Sequence, residues 1–229
     1  MSIVHSAEIR WIIAGEVPAE IKNWYENDPF CNREKIRVDY YLKFTGDDFI
    51  GIKLRQYADG EQNLEFKPIK KGAVSMQLPP GIAGRVDEWD KWSTEAQAAQ
   101  AFSDLLNPQE NAWLALRKAR WLRKYSADGD SIKKVDATKK EIRPRDGCNV
   151  EFTQLRLGTV DEITENGPEL GKPFWTIGFE AFNDEARVKE ILEEVMPLEL
   201  ANENCPTEVK QYLRAEHSYA YPDWLAKAR

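Results

Sequence analysis

Short runs in which a charged residue alternates with a bulky apolar one constrain this chain more than any other feature. In "HSAEIRWII" (5–13), Ser6, Glu8 and Arg10 alternate with Ala7, Ile9 and Trp11, the two-residue period of a strand with unlike faces. The pattern recurs. Lys53, Arg55 and Tyr57 alternate with Ile52 and Leu54, Glu65 and Lys67 with Leu64 and Phe66, and Lys118 and Arg120 with Ala119 and Trp121. Glu151 lies beside Val150 and Phe152, and Glu180 lies between Phe179 and Ala181. Two architectures follow. One is a set of antiparallel sheets with one face in the core and one in water. The other is a closed barrel, apolar outside and covered by helices, whose charged interior forms a polar tunnel that can hold a ligand.

The rest of the chain supplies candidate covers. "VPAEIKNWYEN" (17–27) places Ile21, Trp24 and Tyr25 at helical spacing behind a proline, and "DEARVKEILEEVMP" (184–197) puts Val188, Ile191, Leu192 and Val195 on one face. "STEAQAAQAFSDLLN" (93–107) opens with a Ser/Thr cap and stops before Pro108, which predicts a third helix. Strands are predicted over 35–44, 49–57, 63–71, 148–158 and 173–182. Residues 72–92 are rich in Gly and Pro and read as irregular, and 126–147 reads as an exposed hairpin or loop. The stretch 110–125 fits a helix at its start and a strand at its end. The tail reads as helical to about Ala215, then packs through Tyr219, Tyr221 and Trp224. With no internal repeat and no clean linker, residues 1–229 are expected to form a single domain.

A net charge of -7 argues against a partner bound through bulk positive charge, such as an extended nucleic acid. No window approaches the roughly 20 apolar residues of a membrane helix. The opening "MSIVHSAEIRW" lacks a charged segment followed by an apolar run, so a cytoplasmic protein is expected. Cys31, Cys148 and Cys205 are widely spaced without a C-x-x-C pair, and His5 and His217 are the only histidines. Any metal would therefore be held by carboxylates, which favour magnesium, manganese or calcium over zinc.

A tunnel lined by Arg and Lys attracts a linear polyanion, because several cations can donate charge-assisted hydrogen bonds to phosphate oxygens. Carboxylates in the same tunnel would repel it unless a divalent cation bridged them to phosphate.

The order of these motifs resembles the CYTH, or triphosphate tunnel metalloenzyme, superfamily, which includes inorganic, thiamine and RNA triphosphatases and class IV adenylyl cyclases. "SAEIR" stands where that family has E-x-E-x-K, with Ser6 at the first Glu position, Glu8 at the second and Arg10 at the Lys position. "RVDYYLKF" looks like its D-x-Y-L segment, "IKLRQ" like its R-x-R strand, "LEFKP" like the strand ending in a phosphate-binding Lys, and "LRKARW" like its K-x-R strand. "NVEFTQLRLG" stands where a strand carries an acidic residue, "TIGFEAF" looks like an E-x-E strand with Gly178 at the first Glu position, and "SYAYPDWL" is similar to a Ser-Tyr segment before the last helix.

The resemblance implies an α+β fold, an antiparallel eight-stranded β-barrel forming a tunnel with covering helices. It implies that Arg10, Lys53, Arg55, Lys67, Lys118 and Arg120 bind the substrate's phosphates, and that Glu8, Glu151 and Glu180 hold Mg2+ or Mn2+. The expected function is binding of a triphosphate-containing compound, with metal-dependent hydrolysis as the chemistry a working metal site would add. Two departures bear on that. Ser6 and Gly178 each replace a glutamate, which weakens a divalent site, and Arg10 offers a planar fork where the family has a point charge. Two other readings therefore stay open. One is a non-catalytic phosphate- or nucleotide-binding protein with a degenerate metal site. The other is a protein-interaction domain anchored by Trp89, Trp92 and Trp224.

Overall fold

The computed structural model describes residues 3–43, 50–57, 62–78, 81–94, 113–129, 131–163, 170–201 and 204–227. Its strands are β1 (Ile3–Ala14), β2 (Asn32–Arg33), β3 (Arg37–Leu42), β4 (Ile50–Tyr57), β5 (Gln62–Leu78), β6 (Ile82–Thr94), β7 (Trp113–Ser126), β8 (Lys133–Val135), β9 (Gly147–Gly158) and β10 (Lys172–Phe182). The helices are α1 (Ala19–Glu26), α2 (Val188–Leu200), α3 (Thr207–Tyr212) and α4 (Tyr221–Lys227), with a 3-10 turn at Ala215–His217.

Eight strands close on themselves in the order β7, β3, β4, β5, β6, β1, β10, β9 and back to β7, every pair antiparallel. The short β2 and β8 lie against β7 outside this ring. The predicted barrel is therefore the fold, and the charge alternation is its inside-outside alternation. Outside β1, β9 and β10, the residues Ala7, Ile9, Trp11, Val150, Phe152 and Phe179 are buried under α2, whose Val188, Ile191, Leu192 and Val195 face them as the spacing predicts. Ile21, Trp24 and Tyr25 of α1 join the same core. On the opposite wall Val38, Tyr40, Leu54, Trp113 and Ala115 pack with Ile163. Each such aliphatic or aromatic side chain contributes about 1.5–3 kcal/mol by leaving water, so the barrel is stabilised largely from outside.

One end of the interior is filled. Ile12, Tyr41, Leu116, Leu155 and Leu157 meet Trp224 and Leu225 of α4, with Tyr219, Tyr221 and Phe174 packed against them. α4 is held there by an ion pair from Arg85 to Asp223 at 2.9 Å, and the Ser218 hydroxyl accepts the Arg85 N–H at 2.8 Å.

Several expectations need correction. Residues 72–78 and 82–92 are not irregular but lie in the paired strands β5 and β6. Only the tip demands turn chemistry, where Gly81 has φ 78°, and the remaining irregularity is absorbed by register shifts between Ile69 and Val74. The ambiguous 110–125 is strand from Trp113 onward. Ser93 and Thr94, expected to cap a helix, end β6, and 95–107 lie outside the described residues. The tail past Ala215 is helical again over Tyr221–Lys227. Trp89 and Trp224 are buried rather than exposed anchors, and Trp92 is half-buried. Among the described residues no helix is long and apolar enough to cross a membrane.

Candidate functional site

Above the plug the barrel encloses a cavity of about 160 Å³. All six basic and all three acidic site candidates line it: Arg10, Lys53, Arg55, Lys67, Lys118, Arg120, Glu8, Glu151 and Glu180. Register explains the gathering. Asp87, Glu8, Glu180 and Asn149 are successive cross-strand partners over β6, β1, β10 and β9, and Arg10, Gly178 and Glu151 form the next rung. On the facing wall Asp39 is opposite Arg55, Lys53 opposite Glu65, and Arg37 opposite Lys118.

The charges form two networks. Asp39, 0% exposed, is the centre of the first: Lys118 is 2.8 Å away, Arg37 3.2 Å, Arg55 3.4 Å and Lys53 3.8 Å. Lys53 and Arg55 also hold Glu65, at 2.8 and 2.9 Å. The Lys118 ammonium donates to the Tyr41 hydroxyl at 2.9 Å and sits 3.8 Å from the centre of the Tyr221 ring, an arrangement that stabilises a desolvated cation. In the second network Arg10 donates to Glu8 at 2.7 Å, to Glu151 at 2.8 Å and to Thr176 at 3.1 Å, with Tyr221 beneath its guanidinium. Lys67 bridges Glu8 at 2.5 Å and Glu180 at 3.2 Å. Arg120 binds Glu151 and forks onto both oxygens of Glu34 at 2.6 Å.

Gly178 makes the second network possible. It is the cross-strand neighbour of both Arg10 and Glu151, so Arg10 must cross over it to reach Glu151. A Cβ at 178 would stand 2.8 Å from the Arg10 guanidinium carbon, and that guanidinium is pinned on three sides. Arg10 and Gly178 are thus one steric arrangement. Ser6 is buried, and its hydroxyl has no hydrogen-bond partner among the described residues.

The titration behaviour follows from burial set against these partners. Burial alone would raise Glu8, yet Lys67 and Arg10 outweigh it and hold the carboxyl at about 2. Asp39 and Glu151 lie well below the usual carboxylate range for the same reason, with Lys118 and Arg120 as their leading opposing partners. Burial drives Lys53 and Lys118 down to about 8 against the pull of Glu65 and Asp39.

Asp87 is the exception. Burial, with Glu8 and Asp223 adding to it against Arg85, pushes it up to about 6. A carboxyl raised from about 3.9 in the unfolded chain binds its proton more tightly when folded, so it lowers stability as pH rises from about 4 to 6. Asp87→Asn is therefore expected to raise stability at pH 7.5 by roughly 1–2 kcal/mol and to leave it little changed at pH 4. Urea unfolding at the two pH values checks this.

Two of the three carboxylates expected to hold a metal, Glu8 and Glu151, are already engaged on both oxygens by basic side chains. Both oxygens of Glu8 and both of Glu151 accept N–H donors, from Arg10 and Lys67 and from Arg10 and Arg120, whereas Mg2+ or Mn2+ needs such oxygens as ligands. Among the described residues no group of three or more His, Cys, Asp or Glu is placed to hold a metal.

Sequence reasoning missed Arg37, Asp39, Glu34 and Lys91 as site residues, and Tyr41 and Tyr221 as their aromatic support. Glu65 and Asp39 both carry the signal, alternating with apolar neighbours as Lys53 and Arg55 do. Lys91 lines the cavity, and its charge helps to hold Glu65 and Glu180 ionised.

No protein-family model matches the sequence, and no curated protein matches it. Among solved structures, a conserved hypothetical protein from Pyrococcus furiosus is 13% identical, covering 95% of this chain and 98% of that one, with a TM-score of 0.44. The PH1012 and PH1819 proteins from Pyrococcus horikoshii OT3 are 14% and 16% identical. They cover 94% and 97% of this chain, and 98% and 99% of their own, each with a TM-score of 0.44.

Proposed function

We propose that the barrel binds the triphosphate group of inorganic tripolyphosphate or of an organic triphosphate, as a diverged CYTH-like tunnel protein. The observation that carries this reading is the cavity's charge. Eight basic side chains line it against four acidic ones, and adding the neighbouring Asp39, Glu34 and Asp87 still leaves one positive charge in surplus. This concentration of cations lies inside a chain whose net charge is -7, so the field that would draw in an anion is local.

On entry the phosphate oxygens exchange with carboxylates for the same donors. Lys67 and Arg120, with side chains 19% and 18% exposed, stand where solvent reaches; Arg10 and Lys118, at 4% and 3%, stand deeper. Arg120 and Arg55 present forks suited to phosphate and Lys53, Lys67 and Lys118 present point charges, while the α4 plug excludes water from the far end. A phosphoryl group so held has its charge neutralised and its orientation limited, the two things phosphoryl transfer chiefly requires of a protein.

Isothermal titration with tripolyphosphate tests this. Lys53 and Lys118 are protonated below about 8, so affinity should fall as pH rises from 7 to 9.5, by about tenfold for each ammonium that gives up its proton. Absence of binding at pH 7, with and without Mg2+, would contradict the reading. Phosphate release in the same samples tests hydrolysis separately.

A further inference from the structure

We infer that Arg10 takes the place of a divalent cation between Glu8 and Glu151, so that the tunnel receives its polyphosphate without a metal. This rests on the polyphosphate reading for the ligand, and on the geometry of β1, β9 and β10 for the rest. Two buried carboxylates brought to one place from different strands need a cation between them. Here that cation is part of the chain. Its Nε and Nη2 reach one oxygen of each acid at 2.7 and 2.8 Å, so one planar fork serves both carboxylates. Lys67 and Arg120 occupy the two remaining oxygens. Gly178 leaves room for the guanidinium, which fills the space a side chain at 178 would otherwise enter. A metal at Glu8 or Glu151 would have to compete with these basic side chains for oxygens they already hold. Mg2+ in solution would instead complex the free polyphosphate and lower its charge before it enters.

Two measurements on the full chain test this. The first titrates tripolyphosphate in EDTA and again in 5 mM Mg2+. Binding in EDTA that is equal or weaker in Mg2+ supports the inference. Binding at least tenfold tighter with Mg2+ overturns it while leaving the polyphosphate reading intact. The second measures melting temperature against Mn2+ without ligand, in the wild type and in Arg10→Gln, and decides the metal question even if tripolyphosphate binds under neither condition. The wild type should shift by less than about 1 °C, and Arg10→Gln, left with two under-neutralised carboxylates, by several degrees upward. A wild-type rise of several degrees that Glu8→Gln abolishes would overturn the inference, as would a folded Arg10→Gln indifferent to Mn2+.

Discussion

Asp39→Ala is expected to lose about 3–5 kcal/mol of folding stability at pH 7, the cost of leaving buried cations without their counter-charge. Asp39 is fully buried, and Lys118, Arg37, Arg55 and Lys53 all converge on it within 4 Å. Its removal leaves Lys118 without an ion pair among the described residues, supported only by Tyr41 and Tyr221. The pH dependence follows from the same contacts. A carboxyl held far below its unfolded value near 3.9 contributes its full stability above that pH and loses it as acid drives the folded group to protonate. The wild type should therefore lose stability steeply below about pH 4 through this residue, and the variant should lack that component. Tripolyphosphate supplies the missing negative charge, so it should raise the melting temperature of Asp39→Ala more than that of the wild type. Urea unfolding from pH 3 to 7 and thermal melts with ligand check both parts.

Arg123→Ala should be as costly, about 3–5 kcal/mol, yet leave the tunnel's affinity for tripolyphosphate within about twofold. Arg123 points out of the barrel from β7 and is 1% exposed. It pairs with Glu199 of α2, which is equally buried, and with Asp28 at 2.5 Å, donates to the Trp24 carbonyl of α1 at 2.5 Å, and lies 4.0 Å from the centre of the Tyr25 ring. Its loss strands Glu199 with the Tyr125 hydroxyl as its remaining donor among the described residues. Asp28 keeps Lys134. Because replacing both charges of a buried pair by apolar groups of similar volume is often neutral, Arg123→Met with Glu199→Leu should recover most of the loss. Urea unfolding of the single and double variants, beside calorimetry with tripolyphosphate, separates this outer clamp from the inner site.

These two residues show what was legible in the sequence. Period-two alternation is a local property, so β1, β4, β9 and β10 and the six inward cations could be read directly, whereas β7 was legible only around Lys118 and Arg120 and its start also fitted a helix. The outward face of β7 looks like the inward one at Arg123, because period alone does not reveal that a helix will cover it. Asp39 was visible as an alternating residue, but its importance comes from standing opposite Arg55 and on the strand beside Lys118. Cross-strand register is set by the whole ring. The pairing of β5 with β6 was hidden because glycines suggested an irregular stretch, whereas Gly72 and Gly84 lie within the strands themselves. The expectation of a metal rested on carboxylate identity, and what each oxygen accepts depends on side chains from other strands.

The most direct test is a crystal structure with tripolyphosphate bound. A phosphate chain inside the barrel, its oxygens within hydrogen-bond distance of Lys67, Arg120 and Lys118, is the predicted result. Tripolyphosphate bound only outside the barrel, with the interior ion pairs unchanged at saturating ligand, would contradict it.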